Sequence, residues 1–276
     1  MTEAAVLFEV AEGVATLTFN LAARMNPLTP ALLAGALQAL ERVHEDKAIR
    51  TLVLTAKGRG FCVGADLAWL AAQRQAEPDG LDVAGAPGVG DLVADLMDSG
   101  GNPFVAGLRE LPVPVLCAVN GAAVGGGVGI ALAADIVVAA RSAYFYLPFV
   151  PALGLVPDMG CAWFMGRAVG RARSVGLTLL GDRVSAEQAA QWGLIWACID
   201  DADLAAEVSR IAARLAALPA HAVAETRALH RAAETLTLAE QLVYERERQR
   251  ELANGAGFAE GVQAFAGKRR PVFAGR

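Results

Sequence analysis

The sequence has few of the residues that build metal and disulfide sites. Its 276 residues include three histidines and four cysteines, with no CxxC pair and no Cys/His cluster. We therefore expect no metal and predict four buried, reduced thiols. These cysteines are Cys62, Cys117, Cys161 and Cys198. The histidines lie in stretches whose patterns predict helix, where solvated or capping roles are the better interpretation. They are His44, His221 and His230.

Several nucleotide-binding and nucleophile motifs are also absent. No G-x-G-x-x-G fits the glycine-rich run at 121–129, so a dinucleotide fingerprint is not supported. Residues 261–268 resemble a P-loop, but the run is one residue too long and continues into Arg269 rather than Ser or Thr. No G-x-S-x-G elbow exists, which excludes the usual serine hydrolase arrangement.

Long apolar runs and a strong net charge are missing as well. Hydrophobic residues make up 55% of the chain, yet none of their runs approaches the roughly 18 residues of a membrane-spanning helix. The start of the sequence shows no basic and apolar leader, so we expect a cytoplasmic protein without a membrane partner. A net charge of −5 argues weakly against a nucleic-acid partner.

Two glycine-rich elbows are the most informative feature present. The first elbow, residues 58–67, reads G-R-G-F-C-V-G-A-D-L, and the second elbow, residues 120–129, reads N-G-A-A-V-G-G-G-V-G. Each follows an apolar strand-like run and leads into a predicted helix. Glycine lets a substrate approach the main chain, where N–H groups can stabilise a developing oxyanion. The pair predicts a carbonyl-polarising site, and either elbow alone also suits a simple tight turn between strand and helix.

Strand and helix patterns alternate along the first two thirds of the chain, which favours parallel crossovers. Thr29 and Pro30 predict an N-cap and first helical position. Residues 77–90, rich in Gly and Pro, predict either a functional lid or a disordered segment. We expect strands at 14–19 (tolerant of an edge position), 49–56, 136–140 and 144–146. We expect helices at 31–44, 68–75, 91–97, 103–111 and 130–134, in a segment carrying Trp163 and Phe164, and at 203–217, 221–233 and 238–252.

An ordered set of motifs carries a family resemblance. It comprises R-M-N-P-L at 24–28, the two elbows, L-G-L-V-P-D-M-G at 153–160, L-G-D-R-V-S-A-E-Q-A at 180–189, W-G-L at 192–194, and E-G-V-Q-A-F at 260–265 with Lys268-Arg269. Over essentially the whole chain this series resembles the enoyl-CoA hydratase/isomerase (crotonase) family. Within that family it is most similar to isomerases of the ring-1,2-epoxyphenylacetyl-CoA type.

The resemblance implies a fold and an assembly. The fold is α/β and crotonase-like (ClpP/crotonase), a spiral of ββα units in two roughly perpendicular layers. It would comprise a core at 1–200 and a C-terminal helical trimerisation segment at 201–276. The assembly implied is a homotrimer or a dimer of trimers. An acyl-CoA thioester would be the substrate, as in fatty acid metabolism, with no further cofactor.

The resemblance also implies site residues. The N–H groups of Ala65 and Gly126 would form an oxyanion hole for a thioester enolate. Asp66 and Leu67 adjoin the first of these donors, and Asp66 is better interpreted as a helix cap. Coenzyme A would contact the Arg24 loop, together with Phe265 and Lys268 reaching over from a neighbouring subunit. A lysine beside an aromatic ring suits a phosphate next to an adenine, although a solvated basic tail is an alternative.

The departures from the family concern the two glutamates with which its hydratases position water. Their places are taken here by Gly129 and Phe149. About one residue more than the family's usual spacing separates Phe145 from Gly154.

One carboxylate remains, that of Asp158, and one base is enough to move a proton between two carbons. We expect Leu155, Val156, Met159 and Phe149 to surround it and to raise its pKa. The alternative is that Asp158 caps the following helix. The sequence therefore favours an acyl-CoA isomerase. A hydratase or other acyl-CoA lyase or hydrolase on the same scaffold, and a non-catalytic binding protein, remain open.

Overall fold

The computed structural model describes residues 4–75 and 88–273. The segment at 77–90, for which a functional lid and a disordered segment were the alternatives, therefore lies almost wholly outside the described residues. The chain opens with an antiparallel hairpin of β1 (Val6–Ala11) and β2 (Val14–Phe19). Its tight turn places Glu12 and Gly13 at φ of 50° and 76°, as a two-residue hairpin loop requires. The sequence prediction missed β1, and β2 lies between β1 and a parallel third strand rather than at an edge.

Three successive ββα units follow, which confirms the repeat that the resemblance implied. The first contains β3 (Thr51–Ala56), β4 (Gly60–Cys62) and α2 (Leu67–Gln75). The second contains β5 (Val115–Val119), β6 (Ala122–Val124) and α5 (Gly126–Leu132). The third contains β7 (Ile136–Ala140), β8 (Tyr144–Tyr146) and α6 (Cys161–Leu180).

The strands of each unit divide between two sheets. The first strand of each unit joins the sheet with order β1-β2-β3-β5-β7-β10, and the second joins the sheet with order β4-β6-β8-β9. The short strands β9 (Val184–Ser185) and β10 (Ala197–Ile199) complete them. Because β4 and β6 lie inside the elbows, each elbow is a strand followed by a turn, not a turn directly after the long strand.

The remaining helices surround these sheets. They are α1 (Pro30–Glu45), α3 (Val89–Leu96), α4 (Asn102–Glu110), α7 (Ala186–Gln191), α8 (Leu204–Ala216), α9 (Ala220–Ala232), α10 (Leu238–Ala253) and α11 (Ala256–Ala266). Thr29 caps α1 as predicted, since its Oγ1 accepts a bond of 3.1 Å from the Leu32 N–H. A π-helical turn at Met97–Gly101 joins α3 to α4, and α11 had no sequence prediction.

Two of the C-terminal helices, α8 and α9, join the core, and α8 packs directly on the larger sheet. Ile211 and Ala212 of α8 pack against Val53, Leu116 and Val138 of the larger sheet. The Arg227 guanidinium of α9 pairs with Asp135 at 2.9 Å and donates to the Leu108 carbonyl at 2.8 Å. The boundary at residue 200 remains a prediction, and only helices follow it in the described part of the chain.

Three of the four cysteines are buried as expected. Cys198 in β10 is only partly buried, so the prediction of four buried thiols was wrong for that residue. No cluster of three His, Cys, Asp or Glu side chains able to hold a metal ion occurs within 4–75 and 88–273. In the same ranges no helix has both the length and the apolar character needed to cross a bilayer.

Candidate active site

The first elbow leads from β4 into α2 through Gly64, Ala65 and Asp66. Gly64 has φ +78°, a conformation that favours glycine. Its carbonyl accepts the Leu28 N–H at 2.8 Å, and Ala65 and Leu28 form an isolated parallel bridge. This bond uses the Gly64 carbonyl and does not engage the N–H of Ala65.

The second elbow leads from β6 into α5 through Gly125. Gly125 has φ 56° and ψ −128°, and Gly126 is the first residue of the helix. The N–H groups of a helix's first turn have no acceptor within the helix, and the helix dipole adds positive potential there. Every residue of α5 is buried, so the Gly126 N–H lies in a site with little competing water.

The two elbows meet. A Cβ built on Gly64 would lie 3.3 Å from the Gly126 nitrogen and 3.6 Å from the Gly125 Cα. Any side chain at position 64 would therefore press on the second elbow, which explains the glycine there. The structure brings the two predicted donors, Ala65 and Gly126, to adjoining turns at the ends of two paired parallel strands. Such an arrangement can polarise a single carbonyl oxygen.

Asp158 lies against the second elbow. A Cβ on Gly126 would be 3.1 Å from the Asp158 Oδ1, which is buried and has no hydrogen-bond partner among the described residues. Burial raises the pKa of Asp158 to about 6, and a bond from its own backbone N–H opposes the rise. The N-cap of α6 is Gly160, without a side-chain cap bond. The Asp158 side chain therefore does not cap α6, and its carboxylate faces the second elbow.

The surroundings of Asp158 are only partly those expected. Met159 and Phe149 are each 5% exposed and border the site, whereas Leu155 and Val156 are 54% and 79% exposed. The expectation that these last two enclose the carboxylate was therefore wrong. The Phe149 ring packs on the second elbow, with its Cζ 3.6 Å from the Cβ position of Gly125. Phe149 also begins a π-helical turn, Phe149–Leu153, which accommodates the extra residue noted between Phe145 and Gly154.

The place of the missing glutamate at Gly129 is occupied by backbone. A Cβ there would lie 2.1 Å from the Met159 carbonyl oxygen and 2.8 Å from its carbonyl carbon. Met159 has φ 47°, an uncommon value for a residue other than glycine, and this conformation directs its backbone toward α5. Position 129 therefore accommodates no side chain of any kind.

The Arg24 side chain is attached to the first elbow by an ion pair with Asp66, which also caps α2. The Arg24 Nη1 lies 2.6 Å from Asp66 Oδ2, while Asp66 Oδ1 accepts the Trp69 N–H at 3.1 Å and so caps α2. The capping interpretation of Asp66 is thus confirmed. Leu67, the first residue of α2, is 52% exposed beside it.

Asn26 is a site residue that sequence reasoning missed. Its side chain donates to the carbonyls of Lys57 and Gly60 at 3.0 and 2.8 Å and accepts the Leu21 N–H at 2.7 Å. Asn26 is fully buried with φ 57°, which asparagine tolerates better than most residues. It therefore fixes the Arg24 loop to the strand that carries the first elbow. Its only trace in the sequence was its place in the motif R-M-N-P-L at 24–28.

Phe265 and Lys268 lie at the end of α11, apart from this assembly. Phe265 is 88% exposed and borders a groove of about 970 Å³ formed with residues of α9, α10 and α11 such as Phe258 and Val262. The residues that line this groove lie between Pro219 and Phe273, and none of them belongs to either elbow. Within one chain the pair is not brought to the candidate site, and its role at a neighbouring subunit's site remains a prediction.

Comparisons with known proteins show which family and fold this chain is similar to. A family model described as Enoyl-CoA hydratase/isomerase matches residues 9–276. The chain is 44% identical to the 1,2-epoxyphenylacetyl-CoA isomerase of Escherichia coli (strain K12), and 38% identical to a probable enoyl-CoA hydratase of Rhodobacter capsulatus, over 98% of each chain in both cases. A crystal structure of a putative enoyl-CoA hydratase/isomerase from Mycobacterium abscessus superposes with a TM-score of 0.88 at 33% identity, covering 99% of this chain and 100% of that one.

Proposed function

The chain belongs to the enoyl-CoA hydratase/isomerase family, and we propose that within it this enzyme is an acyl-CoA isomerase. The thioester carbonyl binds between the N–H groups of Ala65 and Gly126. Removal of a proton from the adjacent carbon places negative charge on that oxygen, where two preorganised donors stabilise it. The substrate's coenzyme A serves as its handle.

Asp158 is the acid/base of this proposal. The observation that carries it is a buried carboxylate oxygen without a partner among the described residues, placed against the proposed donor Gly126. A pKa of about 6 suits a group that must both take and return a proton near neutral pH. The carboxylate removes a proton from one carbon, the double bond or ring rearranges through the enolate, and the proton returns to another carbon.

Hydration is the weaker alternative because it needs a positioned water and a second carboxylate. Position 129 is filled by the Met159 backbone, and position 149 carries the Phe149 ring packed on Gly125. The similarity to an isomerase at 44% identity adds support, while the similarity to a probable hydratase at 38% keeps hydration within the test.

The test follows proton movement and product together. The enzyme is incubated in D₂O with a panel of acyl-CoA thioesters that includes β,γ-unsaturated and ring-epoxide acyl groups. We expect deuterium at the α or γ carbon and an isomeric thioester, detected by NMR and mass spectrometry. Formation of a 3-hydroxyacyl-CoA would instead establish the hydratase, and no reaction or exchange with any thioester would favour a non-catalytic binding protein.

Asp158→Asn tests the assignment of the base. The amide has the shape of the carboxylate but cannot accept the proton, so we expect turnover to fall by about 10²- to 10⁴-fold with thioester binding retained. Asp182→Asn is the matched control, because Asp182 is an exposed carboxylate after α6 and its variant should keep full activity. Full turnover by Asp158→Asn on an accepted thioester would remove Asp158 from the mechanism.

The assembly remains part of the proposal. The C-terminal helices expose large apolar side chains, among them Leu238, Phe258, Val262 and Phe265. We expect a homotrimer or a dimer of trimers, in which the exposed Phe265 and Lys268 reach the coenzyme A of a neighbouring subunit. Analytical ultracentrifugation measures the assembly. Lys268→Ala should raise KM for the thioester without lowering kcat, and an unchanged KM would leave the lysine in a solvated tail.

A further inference from the structure

The peptide between Gly125 and Gly126 links a buried thiol to the proposed oxyanion hole. Its N–H belongs to Gly126 and is the proposed donor, while its C=O belongs to Gly125. Because a trans peptide is planar, the two groups point in opposite directions and turn together. Whatever holds the Gly125 carbonyl therefore also sets the direction of the Gly126 N–H.

Two donors reach that carbonyl. The Val128 N–H lies 2.9 Å from it, within the turn that starts α5. The Cys161 Sγ lies 3.4 Å from it and comes from a segment 36 residues further along the chain. The Cys161 side chain is fully buried, and burial raises the pKa of its thiol. The sulfur consequently keeps its proton as a donor, and water does not replace it.

Cys161 also adjoins the proposed base. Its backbone N–H donates to the Asp158 carbonyl at 2.9 Å, and it is the first residue of α6. The short segment from Asp158 to Cys161 therefore touches the second elbow at both of its ends, through a carboxylate beside Gly126 and a thiol on the Gly125 carbonyl.

We propose that Cys161 is a positioning residue of the oxyanion hole: its S–H holds the Gly125 carbonyl and thereby directs and polarises the Gly126 N–H. Hydrogen bonds in series strengthen one another, so a donor on the carbonyl end makes the N–H end a better donor. The inference rests on the proposed function only in that Gly126 binds the thioester oxygen.

The experiment measures carbonyl polarisation directly. A conjugated enoyl-CoA thioester is bound to the enzyme, and the red shift of its carbonyl stretch is recorded by Raman or infrared difference spectroscopy, beside kcat and KM. We expect Cys161→Ala to lose a substantial part of the shift and about fivefold in kcat, with KM within about twofold of the parent's. Cys161→Ser, which restores a donor, should recover most of both.

Cys117→Ala is the matched control for lost volume. Cys117 is equally buried, in the middle of β5. This variant should keep the full shift and the parent's kcat. Equal losses in Cys117→Ala and Cys161→Ala would show a packing effect and overturn the proposal. If Cys161→Ala does not fold, Cys161→Val against Cys161→Ser gives the same comparison of no donor with donor.

The outcomes separate this inference from the proposed function. A parent enzyme that binds the thioester without any carbonyl shift would overturn both, since no oxyanion hole would then be acting on it. A parent enzyme with a clear shift that Cys161→Ala retains in full, together with its kcat, would overturn the role of Cys161 alone.

Discussion

The two elbows carry the same proposed task but are held in different ways. The first is fixed by polar side chains, with the buried Asp66 capping α2 and pairing with the half-exposed Arg24. The second is fixed by burial, with glycines packed against Met159, Cys62 and Phe149. Substitutions near the first remove contacts worth a little each, whereas a single added carbon at the second collides with backbone.

The two elbows also differ in how strongly water and salt weaken their electrostatic interactions. The Arg24 end of the first elbow is exposed, where salt and water screen its ion pair. The second elbow leads into a fully buried helix, and burial both strengthens a donor and raises the pKa of the neighbouring Asp158. We infer that the proposed proton transfer takes place at the second elbow because water is excluded there. In the proposed mechanism the first elbow contributes the Ala65 donor.

The largest expected effect on stability comes from adding a side chain at the second elbow, which is buried. Gly129→Ala places a carbon 2.1 Å from the Met159 carbonyl oxygen, a group that cannot rotate away. We expect the free energy of unfolding to fall by about 3 kcal/mol or more, measured by urea denaturation. Gly166→Ala in α6 is the control, because its new carbon meets nothing within 4 Å, and a helical Gly→Ala change should stabilise by about 0.5–1 kcal/mol. Similar changes in the free energy of unfolding for both variants would show that the second elbow is not held by close packing of its glycines.

The next largest expected effect is the contribution of Asp158 to the pH dependence of the free energy of unfolding. Burial raises the folded-state pKa to about 6 from 3.8, so the folded protein holds this proton more tightly than the unfolded chain does. Stability from this group is full below about pH 4 and is lost as pH rises through about 6. Relative to Asp158→Asn, the parent should lose about 2–3 kcal/mol between pH 4 and 7. Urea titrations across that range measure it, and parallel curves would show that Asp158 is not buried as described.

The smallest effects belong to the first elbow. Asp66→Ala removes the cap on α2 and the Arg24 pair, so we expect a loss of about 1–2 kcal/mol. Arg24→Gln removes only the half-exposed pair and should cost less than about 1 kcal/mol, a cost that disappears in high salt. Equal losses for both variants in urea denaturation would mean that the cap contributes nothing.

The sequence predicted features whose cause is local. Thr29 and Pro30 gave the start of α1, and the two glycine runs gave the elbows. It failed where the local sequence signal is weak. β1 is only half buried and is recognisable as a strand chiefly by its register with β2. The sequence of α11, A-G-F-A-E-G-V-Q-A-F-A, carries two glycines that weaken any helix prediction.

The candidate site also contains features that the sequence predicted and features that it did not. Ala65, Gly126 and Asp158 stand within recognisable motifs, so each could be named from the sequence. The thiol of Cys161 on the Gly125 carbonyl and the Met159 backbone over Gly129 join segments about 30 or more residues apart. Such contacts are properties of the folded arrangement, and the exposure of Leu155 and Val156 was mispredicted for the same reason.

The Met159 backbone over Gly129 constrains how this enzyme can evolve. A glutamate gained at position 129 collides with the main chain before it reaches any water, so its first appearance would be harmful rather than neutral. Retreat of the segment around Met159 would have to precede the glutamate, and that retreat alone would displace Asp158. A gain of two-carboxylate chemistry would therefore pass through an intermediate in which neither the proposed base nor the new glutamate is in place.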